Sequence, residues 1–417
     1  MSEKLPPGKK PVPCAVVGVG HLGSLHARYL AELSLADLLG VYDLIEERSK
    51  AIAGKTGCKA FRSLEELIES RPAFVVVATD TAAHASIAEA LIKEGIGVLV
   101  EKPLTRTLEE ADRLLEAAES VGSAFLGVGH VERFNPVVQA AWKHVHDPLF
   151  IECDRVHPFP FRSLDIGVVL DIMIHDVDLV LWLAGAEVEG VEAVGASVLS
   201  PAEDMAYARL SFTNGCIAVI RASRVSLRKV RKLRVFCPDL YVSLDYLSLR
   251  GTTIRIKPGA REELRNQVQA GKLPPAGFLQ YLDVKNLTVQ KDQPLRAELT
   301  SFLNALRRGD PPPVTGKEGR RALAWALKIE EVMRKYASEV RKRRKDLLEI
   351  LEKVSEMLKL VFETRNEFTI AVSGTGTAGM EASLCNVIEP GDEVIVGVSL
   401  SLIHISEPTR LGMNSYA

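Results

Sequence analysis

Ala15-Val16-Val17-Gly18-Val19-Gly20-His21-Leu22-Gly23 runs a short apolar strand into three glycines spaced Gly-x-Gly-x-x-Gly. The next residues, Ser24-Leu25-His26-Ala27-Arg28-Tyr29-Leu30, read as an amphipathic helix. Strand, glycine turn and helix in that order make a phosphate cradle: Gly18 permits the tight turn, Gly20 lets a pyrophosphate approach the backbone, and Gly23 lets helix and strand pack closely. The helix N-terminus adds unpaired amides and a partial positive charge. A glycine triplet alone is a weak signal. Here a second apolar strand, Leu38-Leu39-Gly40-Val41-Tyr42-Asp43, follows about twenty residues on and ends in an acid placed to accept hydrogen bonds from an adenosine ribose.

Outward from this start, strand and helix keep alternating. Ala73-Phe74-Val75-Val76-Val77-Ala78 is a β-branched run that reads as a buried parallel strand, followed by Thr79-Asp80 and a helix over 82–94. Gly97-Val98-Leu99-Val100 is a further strand, ending in Glu101-Lys102-Pro103. Thr107 and Glu110 form a capping box for a helix to Val121, and Ala124 to Val128 closes the alternation. This pattern predicts a doubly wound parallel sheet of the Rossmann kind over residues 12–135, with ligands beyond the carboxyl ends of its strands. The residues at those ends are Asp43, Thr79, Asp80, Glu101, Lys102, Gly129 and His130.

From about residue 147 strand-like runs follow one another: 149–156, 191–199, 205–213, 216–224, 232–237, 240–246 and 252–257. Asn214-Gly215 between two of them is a hairpin signal. A mostly antiparallel sheet in an α+β domain over 136–338 is expected, making the whole chain α/β in class. Val168 to Leu183 reads as an apolar helix that carries Asp171, His175, Asp176 and Asp178, and helices are expected over 294–308 and 318–336.

Bulk composition narrows the function classes. The 417 residues are 47% hydrophobic, enough for a core in each of two or three domains, and 52 basic against 54 acidic side chains give a formal charge of -2. Such a balance exerts no pull toward nucleic acid or anionic membrane, so neither is expected as a partner. Residues 339–345, Glu-Val-Arg-Lys-Arg-Arg-Lys, are basic, but apolar residues at helical spacing from Leu347 to Leu360 favour a solvated helix start. Six scattered cysteines, Cys14, Cys58, Cys153, Cys216, Cys237 and Cys385, form no metal-ligand spacing and read as reduced thiols. The polar, proline-rich N-terminus and the lack of a long uncharged apolar run make a cytoplasmic address the expectation.

The chemistry-bearing residues are few. Asp171 and His175 stand four apart on one helix face, where a carboxylate can fix the tautomer of an imidazole that serves as general acid/base. Lys102 sits before a proline, where extended backbone is favoured, after a strand expected to end over the cofactor. A satisfied core histidine and a surface lysine are the plainer readings of each alone.

Together, Gly18-x-Gly20-x-x-Gly23-x-x-His26, Glu101-Lys102-Pro103 and Asp171-x-x-x-His175 resemble the glucose-fructose oxidoreductase / inositol dehydrogenase family over residues 12 to 337. The resemblance implies catalysis by Lys102, Asp171 and His175, and cofactor contacts from Gly18, Gly20, His21, Leu22, Gly23, Asp43, Thr79, Asp80, His84, Glu101 and Lys102. The family pattern has glycine two before the histidine, where this chain has Met173. Gly129-His130-Val131-Glu132-Arg133-Phe134-Asn135-Pro136 resembles members acting on nucleotide sugars, notably UDP-N-acetylglucosamine 3-dehydrogenases. Arg133 and Asn135 are therefore candidate substrate contacts. So is Arg224, within a cationic stretch from Arg221 to Arg234 that could meet a diphosphate or simply face solvent. The expected function is NAD-dependent oxidation of a secondary hydroxyl on a sugar by a homo-oligomer, with inositol or another cyclic polyol as alternative substrate and a non-catalytic NAD/sugar sensor as the alternative from another class. Asp43 followed by Leu44, rather than by an arginine, favours NAD over NADP.

The last residues differ in kind. Residues 350–398, with Ser373-Gly374-Thr375-Gly376-Thr377-Ala378-Gly379, resemble the start of an alanine-glyoxylate or serine-pyruvate aminotransferase. The segment 339–398 is expected to be a truncated, incomplete appendage. No functional pyridoxal phosphate site is expected in it, because the last lysine, Lys359, precedes the turn that the resemblance implies would bind the phosphate. Ser401 to Arg410 is similar to a translated sequencing adapter, and no fold is expected over 399–417.

Overall fold

Unbroken apolar runs such as Phe74–Val77 suit strands covered on both faces, and in the computed structural model the strands Phe74–Val77, Gly97–Glu101 and Leu126–Gly129 are buried along their whole length. The structure describes residues 10–122, 125–159, 166–271, 279–290 and 292–361. The chain divides at Ala337/Ser338 into two units. In the first, β1 (Val12–Val17), β2 (Ala36–Tyr42), β3 (Lys59–Ala60), β4 (Phe74–Val77), β5 (Gly97–Glu101) and β6 (Leu126–Gly129) pair in parallel in the order β3-β2-β1-β4-β5-β6. Strand order reverses between β1 and β4, which opens a crevice at their carboxyl ends where α/β sheets bind ligands. The capping box of Thr107 and Glu110 opens the helix Leu108–Ser120 as expected.

The second sheet holds β7 (Phe150–Val156), β8 (Val188–Ala196), β9 (Met205–Phe212), β10 (Ile217–Ser223), β11 (Val230–Phe236), β12 (Leu240–Asp245), β13 (Arg250–Ile256) and β14 (Leu282–Asn286). Their order is β14-β13-β12-β11-β7-β10-β9-β8, antiparallel except for the parallel pair β7 and β10. Burial alternates along these strands. In β9 Ala206, Ala208, Leu210 and Phe212 turn into the core that the sheet shares with the helix Ile174–Ala184. The β9–β10 hairpin turns at Asn214-Gly215, with Gly215 at φ +84°. The fold is α/β: a Rossmann sheet plus a mostly antiparallel sheet with helices.

Three features depart from the expectation. The helix expected over Val168 to Leu183 opens as a π-helical turn, Val169–Met173, before the α-helix Ile174–Ala184, so Asp171 does not lie on regular α-helical geometry with His175. The helix Pro294–Arg308 returns to the first sheet: Phe302 packs edge-on against Phe125 and lies against Phe134, and a Cβ on Gly127 would collide with the Phe302 ring. Leu299, Leu303 and Val314 complete that same core. The cores therefore do not follow the division of the chain at residue 135. Finally, one continuous helix, Gly316–Val361, replaces the separate helical stretches expected around the basic run at 339–345. Residues 362–417, with the aminotransferase-like turn, Cys385 and the adapter-like tail, lie outside the described residues. The other five cysteines are free thiols, Cys58 half-buried and the rest buried.

Candidate active site

Each glycine of the opening turn has its own reason to lack a side chain. Gly18 sits at φ +81°, and a Cβ there would lie 2.7 Å from the Ala78 carbonyl oxygen at the end of β4. A Cβ on Gly23 would collide with the carbonyl oxygen of Gly18, whereas one on Gly20 would meet nothing within 4 Å. The two outer glycines thus close the turn, and the middle one faces open space. Gly20 caps the helix His21–Glu32 without a side-chain hydrogen bond, and no acid stands in that helix's first turn. Its amides are left for an external acceptor. His21 and Leu22 open the helix, both exposed. This cradle fits the phosphates of a dinucleotide.

Asp43 lies just past β2. Its Oδ2 accepts from the Val19 amide of the glycine turn at 2.8 Å and its Oδ1 from the Ile45 amide at 2.9 Å. The carboxylate is therefore aimed by the turn it adjoins, with lone pairs left for a ribose. Leu44 beside it is 89% exposed. At the end of β4, Thr79 donates its hydroxyl to the Asp80 carbonyl at 3.3 Å, and Asp80 caps the helix Thr81–Lys93 without a side-chain bond.

His84 proves to be an internal brace. It is buried, and its ring nitrogens lie 3.0 Å from the Pro103 carbonyl and 3.1 Å from the Thr79 carbonyl. Burial lowers its pKa, with the two carbonyls opposing that shift in part. His84 thereby ties the end of β4 to the turn carrying Lys102, whose peptide bond to Pro103 is cis. Glu101 is similarly enclosed. Its Oε1 meets His26 Nε2 at 2.7 Å and its Oε2 accepts from the Lys102 amide at 3.2 Å. Burial pushes the Glu101 carboxyl up, but His26 and Lys102 outweigh it and hold the group below its usual range. Both residues shape the turn that presents Lys102.

Lys102, just past β5, reaches Asp171 in the π turn, and His175 stands in the first turn of the α-helix that follows. The Lys102 ammonium donates to the backbone carbonyl of Asp171 and lies 3.9 Å from its Oδ1. Asp171 Oδ2 lies 3.9 Å from Arg224. The expected bond from Asp171 to His175 is absent among the described residues, since the π turn directs the carboxylate toward these two cations. His175 Nδ1 is buried with no hydrogen-bond partner among the described residues. Burial, then the positive charge of Lys102 and Arg155 and the nearby His130 and Arg231, hold the His175 imidazole well below its usual pKa. At neutral pH it is an uncharged ring able to accept a proton.

The three candidate substrate contacts have internal duties instead. Arg133 is buried in a two-pronged pair with Asp178, at 2.7 and 2.6 Å, and reaches Glu318 at 2.6 Å. Asn135 is buried, accepts from the Val137 amide at the start of the helix Pro136–Ala141, and donates to Glu132 at 3.1 Å. Arg224 is fully buried and donates to Asp204 at 2.9 Å, to Ser200 at 2.8 Å and to the Ile166 carbonyl at 2.9 Å. Burying a guanidinium demands such partners. Of the remaining cations in that stretch, Arg221 pairs with Asp154 at 2.8 Å and Arg234 with Glu152 at 3.0 Å.

Sequence reasoning missed Arg155 and Glu298. Arg155, wholly buried in β7, grips Asp176, and Glu298, on the helix Pro294–Arg308, is a buried carboxyl whose oxygens have no hydrogen-bond partner among the described residues. Two acids, Asp176 and Asp178, on an otherwise apolar helix were the available signal for buried pairs. His130, also orphaned and buried beyond β6, had been marked only by its position at a strand end. Among the described residues no group of three or more His, Cys, Asp or Glu could hold a metal ion.

Residues 12–130 match the family model described as "Oxidoreductase family, NAD-binding Rossmann fold", and residues 146–239 match the GFO/IDH/MocA C-terminal domain. A UDP-N-acetylglucosamine 3-dehydrogenase of Acidithiobacillus ferrooxidans is 37% identical over 322 residues, 75% of this chain and 95% of that protein. The chain belongs to the GFO/IDH/MocA oxidoreductase family. A solved structure of the UDP-N-acetylglucosamine 3-dehydrogenase of Acidithiobacillus ferrooxidans superposes with a TM-score of 0.69 at 34% identity, covering 77% of this chain and 97% of that one. A myo-inositol 2-dehydrogenase of Thermotoga maritima is 28% identical over 327 residues, 74% of this chain and 92% of that protein. As a family member the chain is an oxidoreductase with a dinucleotide-binding domain, and its relatives include both nucleotide-sugar and inositol dehydrogenases. No helix among the described residues is long and apolar enough to cross a membrane.

Proposed function

We propose that the protein oxidises a secondary hydroxyl of a nucleotide sugar, UDP-N-acetylglucosamine at C3, with NAD as hydride acceptor. The observation that carries this reading is an ammonium, Lys102, held to the Asp171 carbonyl and close enough to depress the pKa of His175, a half-buried imidazole with its Nδ1 buried, in a chain that also builds a dinucleotide cradle. The likeness to the Acidithiobacillus ferrooxidans enzyme supports the substrate class. His175 takes the hydroxyl proton, and being uncharged it does so without first losing one of its own. Lys102 donates to the reacting oxygen and stabilises its growing negative charge. Asp171 anchors Lys102 through its carbonyl and carboxylate, so its part is to aim the lysine rather than the histidine. The bound nicotinamide supplies the acceptor for the carbinol hydride.

NAD is proposed over NADP because Asp43 would repel a 2'-phosphate and Leu44 offers no compensating charge. Inositol or another cyclic polyol is the second reading for the substrate, favoured by the likeness to the Thermotoga maritima protein. A non-catalytic sensor keeps its place as an outcome of the test. The full chain is to be incubated with NAD and a panel of UDP-sugars and inositols, with NADH absorbance as the readout. Turnover of a UDP-sugar in preference to inositols supports the proposal, preference for an inositol supports the second reading, and binding of both ligands without turnover in either direction supports the sensor.

The outer face of the second sheet carries the aromatic group Phe150, Phe236 and Tyr241, packed edge-on and tilted among ion pairs, and we propose it as a self-association face in a cytoplasmic homo-oligomer. Light scattering on the purified chain tests this, and a monomer at micromolar concentration would refute it.

A further inference from the structure

With Asp171 turned toward Lys102, no carboxylate among the described residues holds the His175 ring, and the elements that position its helix are to be sought elsewhere. Its helix carries two more acids immediately after it, each gripped by a buried arginine from a different part of the fold. Arg133, in the 3-10 turn Val131–Phe134 after β6, holds Asp178. Arg155, from β7 in the second sheet, holds Asp176 with Nε at 2.7 Å and an Nη at 2.8 Å. The third prong of Arg155 reaches Glu132 Oε1 at 2.7 Å, and its guanidinium lies over the Tyr246 ring at 5.8 Å. Burial opposes ionisation of both Asp176 and Arg155, but two short parallel bonds of this geometry favour the ionised pair.

We propose that Arg155 is the positioning residue for His175: by gripping the very next side chain it fixes the rotation of the catalytic helix, and it sets a permanent positive charge beside the imidazole. Planar two-pronged pairing resists twisting about the helix axis, which a single bond would allow. Two such clamps, on Asp176 and Asp178, hold the helix from both sides. The proposal rests on His175 being the base of the reaction proposed above.

The titratable and charged groups around His175 are Lys102 after β5, Arg155 from β7, His130 after β6 and Arg231 from β11, with Glu132 paired to both Arg155 and Arg231, and Asp176 and Asp178 on its own helix. Lys102 belongs to the reaction itself. Arg155 is the buried cation the chemistry does not consume. Its charge disfavours protonated His175, so removing it makes the imidazole protonate at higher pH and shortens the pH range in which the base is available.

The test uses the full chain labelled with 15N-histidine, the His175 signals being assigned with His175→Gln and titrated by NMR. This arm requires no substrate, so it remains informative if no sugar is turned over, which would count against the dehydrogenase reading alone. Arg155→Met keeps much of the volume and removes the charge, and His175 is expected to protonate at higher pH than in the wild type. An unshifted titration in the folded variant overturns the electrostatic half of the proposal. Should that variant not fold, Glu132→Gln removes one of the two carboxylates that neutralise Arg155 and leaves Asp176 as the other, and His175 is expected to protonate at still lower pH; no change there overturns it equally. Arg155→Lys keeps the charge and loses the two-pronged grip. It is expected to leave the His175 titration and NAD binding in place while kcat falls about 10²-fold, the cost of a misplaced catalytic group. Wild-type kcat in Arg155→Lys overturns the positioning half.

Discussion

At the end of β1 the chain makes room by leaving atoms out: Gly18, Gly20 and Gly23 carry no side chains, and the groups offered to a ligand are backbone amides. Behind His175 the chain does the reverse, filling its interior with charge and cancelling it pair by pair through Arg155 with Asp176 and Arg133 with Asp178. The first construction follows from local sequence, because a glycine's freedom and a helix N-terminus act on residues a few positions away. The second depends on partners brought from a strand, a 3-10 turn and a helix far apart in the chain. One side of the site can therefore be read from a short motif, and the other only from the folded chain.

The sharpest way to break this contrast is to remove the reacting groups and watch the two sides separately. His175→Ala and Lys102→Ala are each expected to lower turnover about 10²- to 10⁴-fold with NAD affinity retained, by initial rates and calorimetry. Loss of NAD binding in either variant would mean that the two sides do not work independently. Gly23→Val comes next. Its side chain must push the Gly18 carbonyl aside, so NAD binding should be lost and stability should fall by about 1–3 kcal/mol in denaturant titration. An unchanged midpoint would show that helix and strand need no such close approach.

A smaller effect is expected at Asp43. Asp43→Asn keeps its size but removes the charge, and the ratio of NAD to NADP affinity should fall about tenfold, the size of a hydrogen-bond and repulsion effect near 1.4 kcal/mol. A ratio that does not move takes Asp43 out of cofactor choice. The smallest concerns Glu298. Burial, with Glu101's charge added, raises its pKa well above the ordinary carboxyl range. A carboxyl raised on folding contributes its stability below the unfolded value, about 4.3, and loses it as pH rises through the folded one. At neutral pH Glu298 is thus a burden, and Glu298→Gln should raise Tm by a few degrees at pH 7 with little change at pH 4. The opposite pH dependence would point to a partner for this carboxyl that its surroundings do not reveal.

Much of the fold was legible because period and turn chemistry are local signals. The strands β1, β2, β4 and β5 and the hairpin at Asn214-Gly215 follow from them. The sequence also marked Lys102 and His175, through the proline after one and the acid-bearing helix around the other. It did not reveal that Asp171 turns away from His175, because four residues on a helix imply one face only if the helix is regular, and the π turn at Val169–Met173 adds backbone where the spacing argument assumes none. Nor did it reveal the burial of Arg133, Asn135 and Arg224. A cation that faces a diphosphate and one that faces an interior carboxylate look alike until the carboxylate's position is known, and Asp178 and Asp204, the partners of Arg133 and Arg224, lie 45 and 20 residues away along the chain. The short β3 and the strand β14 were missed for lack of length and of apolar residues.

The return of the helix Pro294–Arg308 to the first sheet bears on how the protein is made. A ribosome releases the chain from its N-terminus, and domains generally fold as units in that order. Here the first sheet is synthesised by residue 129, but Phe302, which covers Gly127 and meets Phe125 and Phe134, arrives only after the whole second sheet has been translated. The nascent chain therefore carries an open apolar groove beside its dinucleotide cradle for much of its synthesis. A fragment ended at residue 135 would keep that groove open permanently.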